Sequence, residues 1–377
     1  MNRPDGTADR AASPAPALRP GHHGRARAYA QLRGESMGTT WAVQYAIPHE
    51  APPENGSAGA TPSARESSLD DAPGAGAPDS DEALGGRPAE THSLPLHQAI
   101  QAALDCVVDQ MSTWEPDSVI STLNRAEPGW YQIPAEFFHV LGRALQIAEQ
   151  SGGAYDPTMG RLTDLWGFGP KGPVQEPPAH AEIAAALSTA GWRRTALNEP
   201  LRGVWQPGGM QFDLSSIAKG YGADEIARVL DEHGAEHYLV ELGGELKAKG
   251  RNPQGTQWAL DIETPGHASS GFPLTLTDCA IATSGDYRRC FHHHGQRYAH
   301  TLDPRTGRPL QQALESVSVL HAQCMVADGL ATALLCLGLE EGLAHARRHK
   351  IPALFMSRSG QELALDWTDE FQVLGGR

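Results

Sequence analysis

Asp328 and Thr332 stand four residues apart in the apolar run MVADGLATALL over 325–335, a spacing that puts both side chains on one face of a helix. Two oxygen donors with no histidine or cysteine beside them suit a hard cation, magnesium first. The competing reading is a buried threonine and an aspartate that caps a helix start. Lys219 stands in MQFDLSSIAKGYG over 210–222, which reads as a strand, a polar turn and a helix start, with the helix expected over 223–233. Free amides at a helix N-terminus and a nearby ammonium favour phosphate, whereas a lysine on a solvated helix face needs no ligand. The glycines here are not spaced as in a Walker A loop, and a Rossmann fingerprint is absent.

A third group lies in AIATSGDYRRCFHHHGQRYAHTLDPRTGRP over 280–309. Ser284-Gly285-Asp286 reads as a tight turn whose glycine lets backbone approach a ligand, and Asp303-Pro304-Arg305-Thr306-Gly307 as a second, rigid turn. Strands over 287–291 and 296–302, pivoting near Gly295, bring both turns to one end of a hairpin with His300 beside them. Such an arrangement builds one face of a polar site. Three single residues have both a structural and a ligand-facing reading. Met37 is a core residue or packs on a flat ring. Trp114 is core filler or a lid over an aromatic ligand. Asp156, before a proline, starts a turn or accepts hydrogen bonds from a ligand. His292-His293-His294 is not read as a metal site, because consecutive strand residues point to opposite faces.

The elements that must position these groups follow from hydrophobic period and turn chemistry. Strands are expected over 41–45, 238–242, 245–249, 258–263, 274–276, 315–321 and 353–356. Helices are expected over 97–111, 136–151, 181–191, 325–335 and 339–350, with a capped turn at 112–118 starting a short helix through Asn124. Gly152-Gly153 is a left-handed helix stop, and Gly243-Gly244 is a hairpin device or a place where a ligand lies on bare backbone. Residues 1–28 and about 48–92, rich in Ala, Gly and Pro, read as a disordered tail and a solvated low-complexity insertion.

Composition narrows the class. The formal net charge of −15 disfavours a general nucleic-acid or anionic-membrane surface. Five scattered cysteines without a C-x-x-C pair argue for free thiols over disulfides or zinc. No apolar run reaches the ~18 residues of a membrane span. No secretory signal is visible, so the expected location is the cytoplasm, or the cell envelope if the true start lies elsewhere.

Taken together, these pieces resemble the ApbE family of FAD:protein FMN transferases. The likeness is carried by Met37-Gly-Thr-Thr, Met111-Ser-Thr-Trp-x-Pro-Asp-Ser, Gly153-Ala-Tyr-Asp-Pro-Thr, Leu165-Trp-Gly-Phe-Gly-Pro, Asp213-Leu-Ser-Ser-Ile-Ala-Lys-Gly, Glu241-Leu-Gly-Gly-Glu, Thr283-Ser-Gly-Asp-Tyr-Arg, His300-x-x-Asp-Pro-Arg-Thr-Gly and Ala327-Asp-Gly-Leu-Ala-Thr. The resemblance implies one α+β domain over 29–377, related to the T-fold, with mixed, mainly antiparallel sheets and packed helices. It implies a magnesium-dependent transfer of FMN from FAD, as substrate, to a threonine hydroxyl of an acceptor flavoprotein, with release of AMP. Asp328, Thr332 and the backbone oxygen of Ser216 would hold the cation, and Lys219 the FAD phosphates. Met37, Trp114, Ala154, Tyr155, Asp156, Asp213 and Leu302 match positions lining the flavin and adenine pockets. His300 is the candidate base, with Asp286 and Arg305 in orienting or charge roles. An FAD pyrophosphatase giving FMN and AMP, or a flavin carrier without chemistry, are the competing functions.

Overall fold

The computed structural model describes residues 28–47, 89–265, 271–286, 289–360 and 362–374. The tail expected over 1–28 and the insertion expected over 48–92 fall almost wholly outside them. The first helix, however, already starts at Ala89, inside the far bound of that insertion.

The chain opens with β1 (Tyr29–Ser36) and β2 (Thr39–Ala46), an antiparallel hairpin turned on Met37-Gly38. Then come α1 (Ala89–Met111), α2 (Val119–Asn124), β3 (Gly129–Gln132), α3 (Ala135–Gln150), α4 (Gly160–Leu165) and α5 (His180–Thr189). Ser118 caps α2 as its spacing predicts, its side chain accepting from Ser121 N. Gly152 and Gly153, both at positive φ, stop α3. The middle of the chain holds β4 (Leu197–Asn198), β5 (Gly203–Gln206), α6 (Ala218–Glu232), β6 (Tyr238–Leu242), β7 (Glu245–Lys249), β8 (Trp258–Glu263), β9 (Gly271–Leu276) and β10 (Cys279–Gly285). The remainder is β11 (Cys290–His293), β12 (Gln296–Ala299), β13 (Leu302–Asp303), β14 (Arg308–Pro309), β15 (Leu314–His321), α7 (Cys324–His349), β16 (Ala353–Ser359), β17 (Glu362–Trp367) and α8 (Asp369–Leu374).

Eight strands form one sheet in the order β1-β2-β6-β7-β10-β15-β16-β17, with every neighbouring pair antiparallel. Side chains alternate across it with the period of two that strands impose. Ile281 and Leu320, paired in register, join a core shared with Trp258, Phe272 and Leu274 of the β8–β9 hairpin and Phe371 of α8. Ala282 and Val319, the next pair along, point the other way into a core shared with α3 and α7. Helix α6 packs against both α1 and α7 on that same side, where Ile100, Leu104, Ile226 and Leu230 meet Trp41 and Val240. The result is the mixed helix and antiparallel-sheet architecture that the resemblance implies.

Four local expectations shift. Helix α6 begins at Ala218, five residues before the expected start, which places Lys219 in its first turn. Gly220 and Gly222 lower helix propensity there and hid the start. The strand expected at the start of the 210–222 stretch is an isolated parallel bridge between Met159 and Gln211. The strand expected over 296–302 stops at Ala299, and Leu302–Asp303 pairs instead with Arg308–Pro309. The partner expected over 287–291 forms a strand at Cys290–His293, and residues 287 and 288 lie outside the described residues. Finally, the two helices expected over 325–335 and 339–350 run on as α7, broken where Gly338 takes φ 80.

Candidate functional site

A cavity of about 1140 Å³ opens between the helical layer, the ends of β7 and β10, the β8 strand and the loops around 112–115, 154–156 and 300–304. That exceeds the roughly 300–1,000 Å³ typical of drug-sized ligands. Its floor is built where three elements meet. Helix α7 presents Asp328 and Thr332, the start of α6 presents Ser216 and Lys219, and β7 presents Glu245. Strand order explains the meeting: β7 and β10 are neighbours, and α7 lies across β10 and against α6.

The floor is a buried charge cluster. Lys219 Nζ is in direct contact with Glu245 Oε1. Glu245 is 2 % exposed, and its other oxygen, Oε2, has no hydrogen-bond partner among the described residues. Burial raises the Glu245 carboxyl to about 7, against the pull of Lys219. Asp328 is 3 % exposed, and its Oδ2 accepts from Gly220 N at 3.0 Å. Burial raises its pKa as well, with Lys219 and Gly220 opposing. Burial disfavours the Lys219 ammonium, but the attraction of Glu245 and Asp328 outweighs it and holds the lysine above its ordinary value. Two carboxylates thus share one ammonium. Thr332 Oγ1 and Ser284 Oγ are hydrogen-bonded at 2.8 Å beside them.

This donor set fits a hard cation. Among the described residues no three His, Cys, Asp or Glu side chains gather as a metal site. A cation here would therefore draw on Asp328, hydroxyl and backbone oxygens, next to a carboxylate oxygen that lacks a partner.

His300 also lines the cavity. Its backbone N–H and its Nδ1 both meet Arg289 O, at 3.0 and 3.2 Å. A carbonyl only accepts, so Nδ1 carries the proton and Nε2 keeps a lone pair. Burial, then the Arg289 charge, lowers the imidazole to about 4, so it is neutral at pH 7. Phe168 packs edge-on against the ring, and Arg289 donates to Phe168 O at 3.1 Å.

The other candidate residues divide cleanly. Met37, Trp114, Ala154, Tyr155, Asp156, Asp213 and Leu302 all line the cavity. Met37 holds φ 53, strained for a side chain that long, and its Sδ packs toward Gly222. Trp114 is 57 % exposed, so it is not core filler. Tyr155 is buried, its hydroxyl 3.3 Å from Ser216 Oγ, and burial raises its pKa. Asp156 is already occupied: Oδ1 accepts from Thr158 N and Oγ1, and Oδ2 from Trp192 N, while burial raises its pKa. Asp213 Oδ1 accepts from Ser215 N.

Asp286 and Arg305 do not line the cavity. Asp286 is buried against Arg297, which bonds its carboxylate at 3.2 Å and also its backbone oxygen. Arg305 grips both oxygens of Asp303 and donates to Cys336 O at 3.0 Å, tying that turn to α7. Both serve to hold loops that carry the site. Glu245 and Arg289 are among the cavity residues to which the sequence alone assigned no role. Their signals, a glutamate directly after Gly-Gly and the second of an arginine pair, are weak without the fold.

The sheet, the helical layer and this cleft define an α+β protein with a large cavity floored by charged side chains. The chain belongs to the ApbE family, whose model matches residues 37–355. It is 38 % identical over 278 residues to an FAD:protein FMN transferase of Vibrio cholerae serotype O1, covering 72 % of this chain and 82 % of the relative. A relative of the same description from Haemophilus influenzae is 34 % identical over 296 residues, covering 75 % and 84 %. Among solved structures, the apo form of the Pseudomonas stutzeri flavinyl transferase ApbE superposes with a TM-score of 0.76 at 32 % identity, covering 93 % of this chain and 98 % of that one. No helix among the described residues is long and apolar enough to cross a membrane.

Proposed function

We propose that this chain is an FAD:protein FMN transferase that moves the FMN moiety of FAD to a threonine hydroxyl of an acceptor flavoprotein and releases AMP. The observation that carries this reading is the pairing of a buried Lys219–Glu245–Asp328 floor with a neutral imidazole whose Nε2 lone pair is available. The cavity's size suits a dinucleotide, and Met37 and Trp114 offer apolar surfaces to flat rings.

In this reading Lys219 and Arg289, the Lys and Arg side chains that line the cavity among the described residues, hold the diphosphate. His300 Nε2 accepts the proton as the threonine oxygen bonds to the FMN phosphorus and the bond to the AMP phosphate breaks. Burial depresses His300 most; phosphate charge near Arg289 offsets the smaller depression by that guanidinium, so substrate binding strengthens the base. Asp328, Thr332 and the Ser216 backbone oxygen would hold magnesium, which when bound supplies positive charge against the phosphate oxygens. The fixed position of Asp328 on the Gly220 amide orients its remaining oxygen.

AMP release from FAD, measured with magnesium and with or without an acceptor domain carrying the threonine, tests this. AMP formed only with acceptor, together with covalent flavin on that acceptor, is the expected result. AMP without acceptor indicates a pyrophosphatase, and FAD binding without AMP under either condition indicates a carrier.

A further inference from the structure

We propose that Asp224 and Lys247, which do not line the cavity, are positioning residues that hold the charged floor in register by a reciprocal exchange of helix caps. The proposal rests on the functional reading above only for what the floor does. The geometry itself is independent of it.

Neither α6 nor α7 caps its own start. The residue before α6 is Ile217 and the one before α7 is Gln323, and neither makes a side-chain cap. Each helix instead draws its cap from the other. Asp328 of α7 accepts from Gly220 N of α6 at 3.0 Å. Asp224 of α6 accepts from Cys324 N and Met325 N of α7, both at 3.0 Å, one on each carboxylate oxygen. Unsatisfied first-turn amides are strong donors, and a carboxylate there also meets the positive end of the helix dipole. Lys247 of β7 completes the arrangement as the ion-pair partner of Asp224 Oδ1, with both side chains largely buried.

These contacts repeat the floor one step away. Lys219, Glu245 and Asp328 sit on α6, β7 and α7. So do Asp224, Lys247 and the Cys324 amide, five residues after, two after and four before their counterparts. A shift of α7 along α6 therefore breaks both sets together. There is no slack to absorb one, because a Cβ at Gly220 would stand 2.5 Å from Cys324 O.

The test uses the full chain. Hydrogen exchange at the Gly220 amide reports the Asp328 contact directly, and Mn²⁺ binding followed by its spin-resonance signal reports the cation site. For Asp224→Asn we expect Gly220 exchange and the Mn²⁺ dissociation constant each to rise by about ten-fold or more, the scale of one charge-assisted hydrogen bond. Lys247→Met should give a smaller rise and Lys247→Arg should restore near-wild-type values. Thr368→Val, which removes a buried hydroxyl bridge between Ile351 and Ala353 far from α6, controls for general destabilisation. The clamp is overturned if Asp224→Asn leaves Gly220 exchange within two-fold of wild type, or if Thr368→Val moves it equally. A wild-type protein that binds no Mn²⁺ sinks the cation reading alone, and Gly220 exchange still decides the clamp.

Discussion

Gly220→Ala is the smallest change that should separate folding from function in this protein. The added methyl would meet backbone, not a movable side chain: Cys324 O at 2.5 Å, Cys324 C at 2.7 Å and Met325 Cα at 2.8 Å. Restoring ordinary contact at 3.4 Å requires α6 and α7 to part by about 0.9 Å. The Gly220 N to Asp328 Oδ2 distance, now 3.0 Å, then lengthens to nearly 4 Å, beyond hydrogen bonding. Overpacking costs about 1–3 kcal/mol and the lost charge-assisted bond about 1.5–3 kcal/mol, while alanine returns about 1 kcal/mol of helix propensity. The net loss is about 1.5–5 kcal/mol, read as a melting temperature lower by roughly 2–8 °C for a chain of this size. Turnover should suffer more than stability suggests, because a misplacement near 1 Å costs on the order of 10²-fold. Thermal melting and AMP release assayed well below the transition give both numbers. A variant with wild-type melting and turnover would refute the claim that α6 and α7 touch through this glycine.

Three further outcomes follow from the site. His300→Ala should slow flavin transfer by about 10²–10⁴-fold with FAD affinity nearly unchanged, and a wild-type single-turnover rate would remove it as the base. Asp328→Ala should abolish magnesium-dependent turnover while FAD binding is weakened at most; unchanged turnover would discard the cation assignment. The third concerns pH: Glu245, raised from 4.5 to about 7, binds its proton more tightly when folded, so its contribution is present below about 4.5 and is lost as pH rises through about 7. Between pH 5 and 8 the unliganded wild type should lose on the order of 3 kcal/mol relative to Glu245→Gln, and parallel melting curves for the two would count against the buried, under-partnered carboxylate.

The local grammar of the chain was legible without coordinates. Alternation marked β2, β6 and β7; Ser118 and Gly152-Gly153 marked helix ends; and the four-residue step from Asp328 to Thr332 placed both on one side of α7, where they line the cavity. These features depend on backbone period and on dihedral preferences, which a residue carries wherever it sits. Other features depend on neighbours far away in sequence. Helix α6 starts at Ala218 although two glycines weaken it, because α7 presses on Gly220 and leaves room for nothing larger. Asp286 and Arg305 stand in the turns of a polar site, yet each is taken up by a loop-holding partner, Arg297 or Asp303. Trp114, as apolar as any core residue, lies exposed at the cavity. Glu245 became a site residue only because β7 lies beside β10 and under α7, which brings residues 219, 245 and 328 together. That meeting is set by strand order and helix crossing, and the energy that fixes it is burial shared among elements a hundred residues apart.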